Sequence, residues 1–366
     1  MRLLQTETLT FEEFFETNLP RYAILSHRWG QSEVTYKDMA KKRAKEGPGL
    51  TKVQDFCKLA FSEGYDWVWI DTCCIDKKSS AEVSEAVNAM YRWYQKADKC
   101  YAYLFDVIAN QPETFRRSSW FTRGWTLQEL IAPMDVLFYD AEWLKIGSKS
   151  TLAYGVAEAT GIDIKTLRDP SSIAIPAACI ARKMYWASAR QTSVPEDKAY
   201  CLLGLFDTNM PLLYGEGIKK AFVRLQKELL STTTDETIFA WTLKKWSPSG
   251  LLASDPGDLS ASKNVRKTSL FGKPLRPPWV MTNIGFQFTL LPGTWAYVTR
   301  DSSPNMPVTI LVKLRCVHID TGTPCVLVLS KVHHTGGRWR RIRHDQLNLD
   351  FPINAEPKAQ TIYIVP

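Results

Sequence analysis

A tryptophan and a glutamate stand one helical turn apart in the stretch RGWTLQEL, residues 123–130. An indole offers a flat stacking surface and a carboxylate a negative charge, so Trp125 and Glu129 together could furnish a site with one platform and one acidic group. Gly124 permits a tight entry and Pro133 limits the helix between them. At about 100° per residue, Leu127, Leu130 and Ile131 fall on one face and Trp125 and Glu129 on the opposite one. The apolar face can pack on a sheet while the pair points away from the core, toward solvent or the mouth of a cleft. An exposed glutamate over a half-buried tryptophan, with no chemistry attached, fits the same pattern.

The elements that would position such a pair are legible upstream. Runs rich in Tyr, Val, Ile and Trp at Tyr22–Leu25, Trp67–Ile70, Tyr101–Phe105 and Val136–Tyr139 read as buried strands. Between them Leu50, Val53, Phe56, Cys57 and Ala60 repeat at helical spacing, as do Val83, Val87, Met90 and Tyr94 behind a capping box from Ser79 to Glu82. Alternating strands and helices predict a parallel sheet covered on both faces. Ligands of such sheets bind at the carboxyl ends of the strands. The first strand delivers Ser26, His27, Arg28 and Trp29 there, the second Asp71, Cys73, Cys74 and Asp76, and the third Asp106. Cys73 or Cys74 with His27 would make a nucleophile and base, against the commoner use of cysteine as core. Glu85 lies on a polar helix face with Asn88 and Arg92, which a solvated surface explains.

At 366 residues the chain is too long for one ordinary core. Residues 149–160, 177–189, 195–206 and 217–230 read as a helical extension. From about Ser231 onward, stretches such as IFAWT, WVMTNIGFQFTLL and CVLVLSKV predict a β-rich region. The expected organisation is a first domain over 1–230, with its α/β core at 20–145, then a C-terminal region over 231–366 entered by a linker between Ser231 and Pro256. The net charge is +8, and its excess lies in residues 257–366, with 14 basic and 6 acidic side chains. The segment RWRRIRH, 338–344, interleaves Trp339 with arginines as phosphate-binding surfaces do, but a twisted edge strand carrying protective charges is the expectation. No run is long enough to span a membrane, and the acidic start contains no secretory segment, so a cytoplasmic location is expected. The eight cysteines show no zinc spacing and predict buried, reduced thiols, with no metal site. There is no phosphate loop, no GxGxxG after the first strand and no fixed-period repeat.

Four segments in order, YAILSHRWG (22–30), WVWIDTCCIDK (67–77), AVNAMYRWYQKADKCYAYL (86–104) and SSWFTRGWTLQELIAP (118–133), together resemble the fungal heterokaryon-incompatibility (HET) domain. The segment TSVPEDKAYCLLGLFDTNMPLLYGEGIKKAFVRLQKE (192–228) is similar to the stretch C-terminal to that domain in many members, which carries the resemblance to about residue 230. The resemblance implies non-self recognition between fungal strains and regulated cell death. HET domains are held to be distant relatives of TIR domains, which have a flavodoxin-like parallel sheet and often cleave NAD. The TIR pattern of a serine and a tryptophan ahead of a catalytic glutamate resembles Trp125 to Glu129, and thereby implies Glu129 as the catalytic carboxylate. Breaking the nicotinamide–ribose bond develops positive charge on the sugar, which a carboxylate can stabilise. Trp125 or Trp29 would then stack a ring and Arg28 or Arg123 would hold the pyrophosphate, with Ser26, His27, Asp71 and Asp76 around them. NAD or a related nucleotide would be a substrate, with no bound cofactor. Self-association on activation and a protein trigger are the implied partners, and nucleic acid is not expected. The alternative is a non-catalytic module that signals death by oligomerising and recruiting.

Overall fold

The computed structural model describes residues 1–108, 111–168, 178–242, 250–268, 279–297, 308–331, 338–342 and 360–365. It divides into two compact units, one of residues 1–176 with 190–213 and one of 177–189 with 214–366. The break expected at 230 is therefore not where the units divide.

The first unit is built on a seven-stranded sheet. β1 (Arg2–Gln5) and β2 (Phe11–Glu13) precede the central strand β3 (Tyr22–His27), and β4 (Trp67–Trp69), β5 (Lys99–Tyr103), β6 (Val136–Tyr139) and β7 (Lys145–Ser148) come later in the chain, in spatial order β2-β1-β4-β3-β5-β6-β7. β4, β3, β5 and β6 are parallel, whereas β1, β2 and β7 join antiparallel. The parallel sheet expected from the sequence is thus the centre of a mixed one. Within that centre the first strand lies between the second and third, which creates a topological switch point between β3 and β5. All six residues of β3 are buried.

Helices cover both faces. α1 (Tyr36–Ala40) and α2 (Pro48–Ser62) connect β3 to β4, α3 (Asp71–Cys74) and α4 (Ser80–Lys96) connect β4 to β5, and α5 (Pro112–Arg116) and α6 (Thr126–Ile131) connect β5 to β6. Residues of a strand point alternately to its two faces. Tyr22 accordingly donates to the Trp93 carbonyl of α4 (2.6 Å), and Ser26, four residues on, meets the same side of the sheet. His27 turns to the other side, 3.7 Å from a carboxylate oxygen of Glu33, which in turn holds Lys52 of α2 at 2.6 Å. After β7 come α7 (Ala153–Thr160) and α8 (Ile164–Arg168), so the helix expected from Lys149 begins four residues later, behind a strand and a turn.

In the second unit, α9 (Ile180–Ser188) has its first amides bound by Asp235 Oδ2 (3.0 Å) and Thr237 Oγ1 (3.1 Å). These contacts explain why this helix belongs with the C-terminal chain. The expected helix over 195–206 is only the short α10 (Asp197–Tyr200) and a 3-10 turn, both in the first unit. α11 (Ile218–Thr232) is tied to Ala253 through both ends of the Gln226 amide, at 2.8 and 3.0 Å. Beyond it lies an eight-stranded sheet: β8 (Val265–Lys267), β9 (Val280–Thr282), β10 (Gly285–Leu290), β11 (Trp295–Tyr297), β12 (Thr309–His318), β13 (Pro324–Lys331), β14 (Trp339–Arg341) and β15 (Gln360–Ile364). β14 lies between β13 and β15, so it is not the charged edge strand expected from RWRRIRH, of which 343–344 fall outside the described residues. Arg341 is buried, stacks 3.8 Å from the Trp241 ring centroid and donates to the carbonyls of Phe239 and Trp241. Its charge is spent inside the protein rather than on a phosphate. No helix among the described residues is long and apolar enough to cross a membrane.

Candidate functional site

Glu129 sits in α6, and every residue of α6 is buried. The helix does not leave the Glu129 face wet, contrary to what its amphipathic spacing predicts. Glu129 is only 6% exposed, and it faces Ser26 rather than solvent. The reason is tertiary: α4, the 119–122 turn and the segment after Arg190 cover the side of α6 that a lone amphipathic helix would leave wet. The Ser26 hydroxyl donates to Glu129 Oε2 and accepts from the indole nitrogen of Trp120 at 2.9 Å. Burial pushes the Glu129 carboxyl up to about 7. The Ser26 bond works against this, the Asp71 charge adds to it and the Arg123 charge opposes it.

Two ties hold the helix in place. The buried Lys149 ammonium donates to the carbonyls of Leu130 (3.3 Å) and Pro133 (2.5 Å), satisfying groups that the end of α6 leaves open. Burial lowers this amine to about 8. At the other end Gly124 donates to the Gln191 carbonyl (2.8 Å), Gln191 donates to Thr122 (2.7 Å), and Arg190 Nη1 donates to the Arg123 carbonyl (2.9 Å). Gly124 is needed for this close approach and not for an unusual backbone angle, since a Cβ there would lie 2.5 Å from Thr192 Cγ2.

Trp125 and Glu129 are held by different partners. The Trp125 indole is half-buried and donates to Asp197 Oδ2 at 3.1 Å, in the segment that fastens the loop. The indole beside the polar rim is instead Trp29, which is 41% exposed and donates to Asp71 Oδ2 at 2.8 Å. Its ring has Lys77 Nζ at 4.8 Å and the Arg123 guanidinium at 5.2 Å from the centroid. Lys77 also approaches Asp71, at 3.8 Å. Although burial acts the other way, the charges of Lys77 and Arg123 and the Trp29 bond bring the Asp71 carboxyl below its ordinary value.

His27 is fully buried, 3.7 Å from Glu33 and 3.9 Å from Asp71, and burial lowers its pKa, which favours the neutral ring. Glu33 is brought down to about 2: burial opposes this, while His27, Lys52 and the Gly30 amide outweigh it. Ser26 and His27, grouped by sequence, therefore serve opposite faces of the sheet. Arg28 is exposed. Asp76 accepts from the Lys78 amide (3.0 Å), which makes it a turn residue. Asp106 accepts from Ser118 Oγ and the Ser119 amide, both at 2.7 Å, and so anchors the turn that carries Trp120. Cys73 is a buried thiol whose pKa lies well above normal through contact with Cys74 and burial, the reverse of an activated nucleophile. All eight cysteines are free and buried. Trp120, Lys149, Arg190 and Lys77 were not singled out in the sequence. SSW ahead of RGW offered a hint of the first, while a lysine read as starting a helix gave no sign of capping another.

With this geometry in view, comparison with known families is informative. Residues 22–111 match the family model described as heterokaryon incompatibility protein (HET). The match contains Ser26, His27, Trp29, Asp71 and Lys77 and ends before Glu129. Vegetative incompatibility protein HET-E-1 of Podospora anserina is 42% identical over 222 residues, which cover 58% of this chain and 16% of that protein. The chain thus spans a small part of the length of the curated relative that it matches. No solved structure matches.

Proposed function

We propose that the protein is an effector of heterokaryon incompatibility, acting in non-self recognition, and that its first unit is a TIR-like site that hydrolyses the nicotinamide–ribose bond of NAD with Glu129 as the essential carboxylate. The HET match and the name of the vegetative-incompatibility relative support the biological role. The chemical reading is carried by one observation: a buried carboxyl poised near neutrality lies at the switch point of the parallel strands, within the fields of Asp71 and Arg123, and Arg123 covers an exposed indole.

In this reading Trp29 stacks a ring of the dinucleotide and Arg123 and Lys77 take its phosphates. Trp29 is the platform in preference to Trp125 because it is the more exposed indole and has Lys77 and Arg123 over its ring. Ionised Glu129 hydrogen-bonds the ribose hydroxyls and stabilises positive charge on the anomeric carbon as the C–N bond breaks. Nicotinamide leaves as a neutral molecule with the bonding electron pair, water adds to the anomeric carbon, and its proton passes to solvent. No general acid is required. A carboxyl only 6% exposed receives a substrate only when the groups that bury it move apart, which suits a domain that is switched on by assembly.

The test is nicotinamide release by concentrated protein. The wild type should release it and Glu129→Ala should not. Equal release by both, or none by either once assembled, would refute the activity. The closed chain from Trp120 through Ser26 to Glu129 favours a second reading, in which Glu129 locks α6 to the sheet of a non-catalytic signalling module. That reading expects a Glu129→Gln protein, which keeps the lock, to remain lethal when expressed in a fungus.

A further inference from the structure

The first unit carries a cationic strip that the glycohydrolase reading does not use. The segment from α1 into the next turn reads KDMAKKRAKE, and Lys37, Lys41, Lys42, Arg43 and Lys45 are all exposed. So is Lys78, in the turn after α3, beside which α1 packs. None of the six closes an ion pair with a carboxylate among the described residues. Asp38, in the same segment, is engaged in the α1 capping box with the Thr35 amide (3.0 Å) and hydroxyl (2.5 Å), and it feels the charges of both Lys45 and Lys78. Asp38 is half-buried, and Glu46 is exposed. Asp76 is occupied by the Lys78 amide and Asp71 by Trp29. The strip is continuous with the rim of the sheet, because Lys77, next to Lys78, lies over the exposed Trp29 ring.

Unpaired exposed cations beside one another repel, and folding alone gives no reason to gather them. An anionic partner does. The segment offers no large apolar side chain for insertion into a lipid surface, since Met39 is buried. At its end lies an indole with cations over its ring, the combination that binds bases and phosphates together. We propose that the strip of Lys41, Lys42, Arg43, Lys45 and Lys78 is a docking surface for single-stranded nucleic acid, with the phosphates along the strip and a base on Trp29. This surface is distinct from the basic C-terminal region, and only its base platform, Trp29, is shared with the proposed dinucleotide site.

The test is fluorescence anisotropy of the full chain with a labelled single-stranded oligothymidylate of about a dozen nucleotides, measured across a salt series. Five phosphate contacts give a log–log salt slope of about −3.5, and removing three of them lowers its magnitude by about 2. The triple variant is Lys41→Gln, Lys42→Asn and Arg43→Gln. Asn suits the left-handed backbone at Lys42 (φ 50°), and all three sites are exposed, so the fold survives. We expect about a tenfold or greater loss of affinity at low salt together with the smaller slope. Trp29→Ala should weaken binding while leaving the slope unchanged, and unchanged affinity would remove the base platform from the proposal. Absence of binding by the wild type, or an unaltered slope in the triple variant, overturns it. Binding to phosphatidylserine vesicles without binding to the oligonucleotide also overturns it, in favour of a lipid surface.

Discussion

Replacing Glu129 with Gln should make the protein more stable at alkaline pH and leave it unchanged in acid. The carboxyl is displaced from 4.5 to about 7 by burial, and at about 1.4 kcal/mol per pH unit this corresponds to about 3 kcal/mol. Linkage fixes the sign. Below about 4.5 the group is neutral in both the folded and unfolded chains. Between 4.5 and about 7 only the unfolded chain loses its proton, so folding stability falls as pH rises, and above about 7 the loss is complete. Glutamine keeps an acceptor for the Ser26 hydroxyl but cannot ionise. The variant should therefore match the wild type near pH 4.5 and exceed it by about 3 kcal/mol at pH 8.5. Urea unfolding of both proteins across this range, monitored by tryptophan fluorescence, reads the difference, and Trp120 next to Ser26 gives a local signal. Titrating groups that do not interact with Glu129 cancel in the comparison. A difference that does not change with pH, or one that favours the wild type as pH rises, would refute the reasoning and place the ionised carboxylate in a solvated setting.

Gly124→Ala should destabilise the first unit by about 1–3 kcal/mol in the same measurement, because its methyl would overlap Thr192 where two backbone segments meet. Lys149→Met removes the donor to the Leu130 and Pro133 carbonyls and should cost about 2–3 kcal/mol, with earlier hydrogen exchange of the α6 amides as the specific sign. Asp197→Ala should cost about 1 kcal/mol by freeing the Trp125 indole, visible as a lower urea midpoint, and nicotinamide release should persist because Trp29, not Trp125, is the proposed platform. If Glu129 acts as an ionised carboxylate, release should rise with pH through a midpoint near 7 and then level off.

The sequence by itself determined the central strands, the two long helices between them and the loops at the carboxyl ends, because these arise from local periodicity and from the general behaviour of parallel sheets. Ser26, Trp29 and Asp71 were legible as strand-end residues for that reason, whereas Arg123 was named only through the family resemblance. The fate of each side chain was a different matter. Helical spacing placed Trp125 with Glu129, yet burial of every side of α6 turned Glu129 onto Ser26, 103 residues away in the chain, and Asp197, 72 residues away, captured Trp125. The alternation of a strand separated the neighbours Ser26 and His27, and only the packing of α2 and α6 on opposite faces gave that alternation its consequence. The acidity of Glu129, the capping role of Lys149 and the burial of Arg341 likewise depend on how much protein surrounds a charge, and that is set by contacts between distant segments and not by any local pattern.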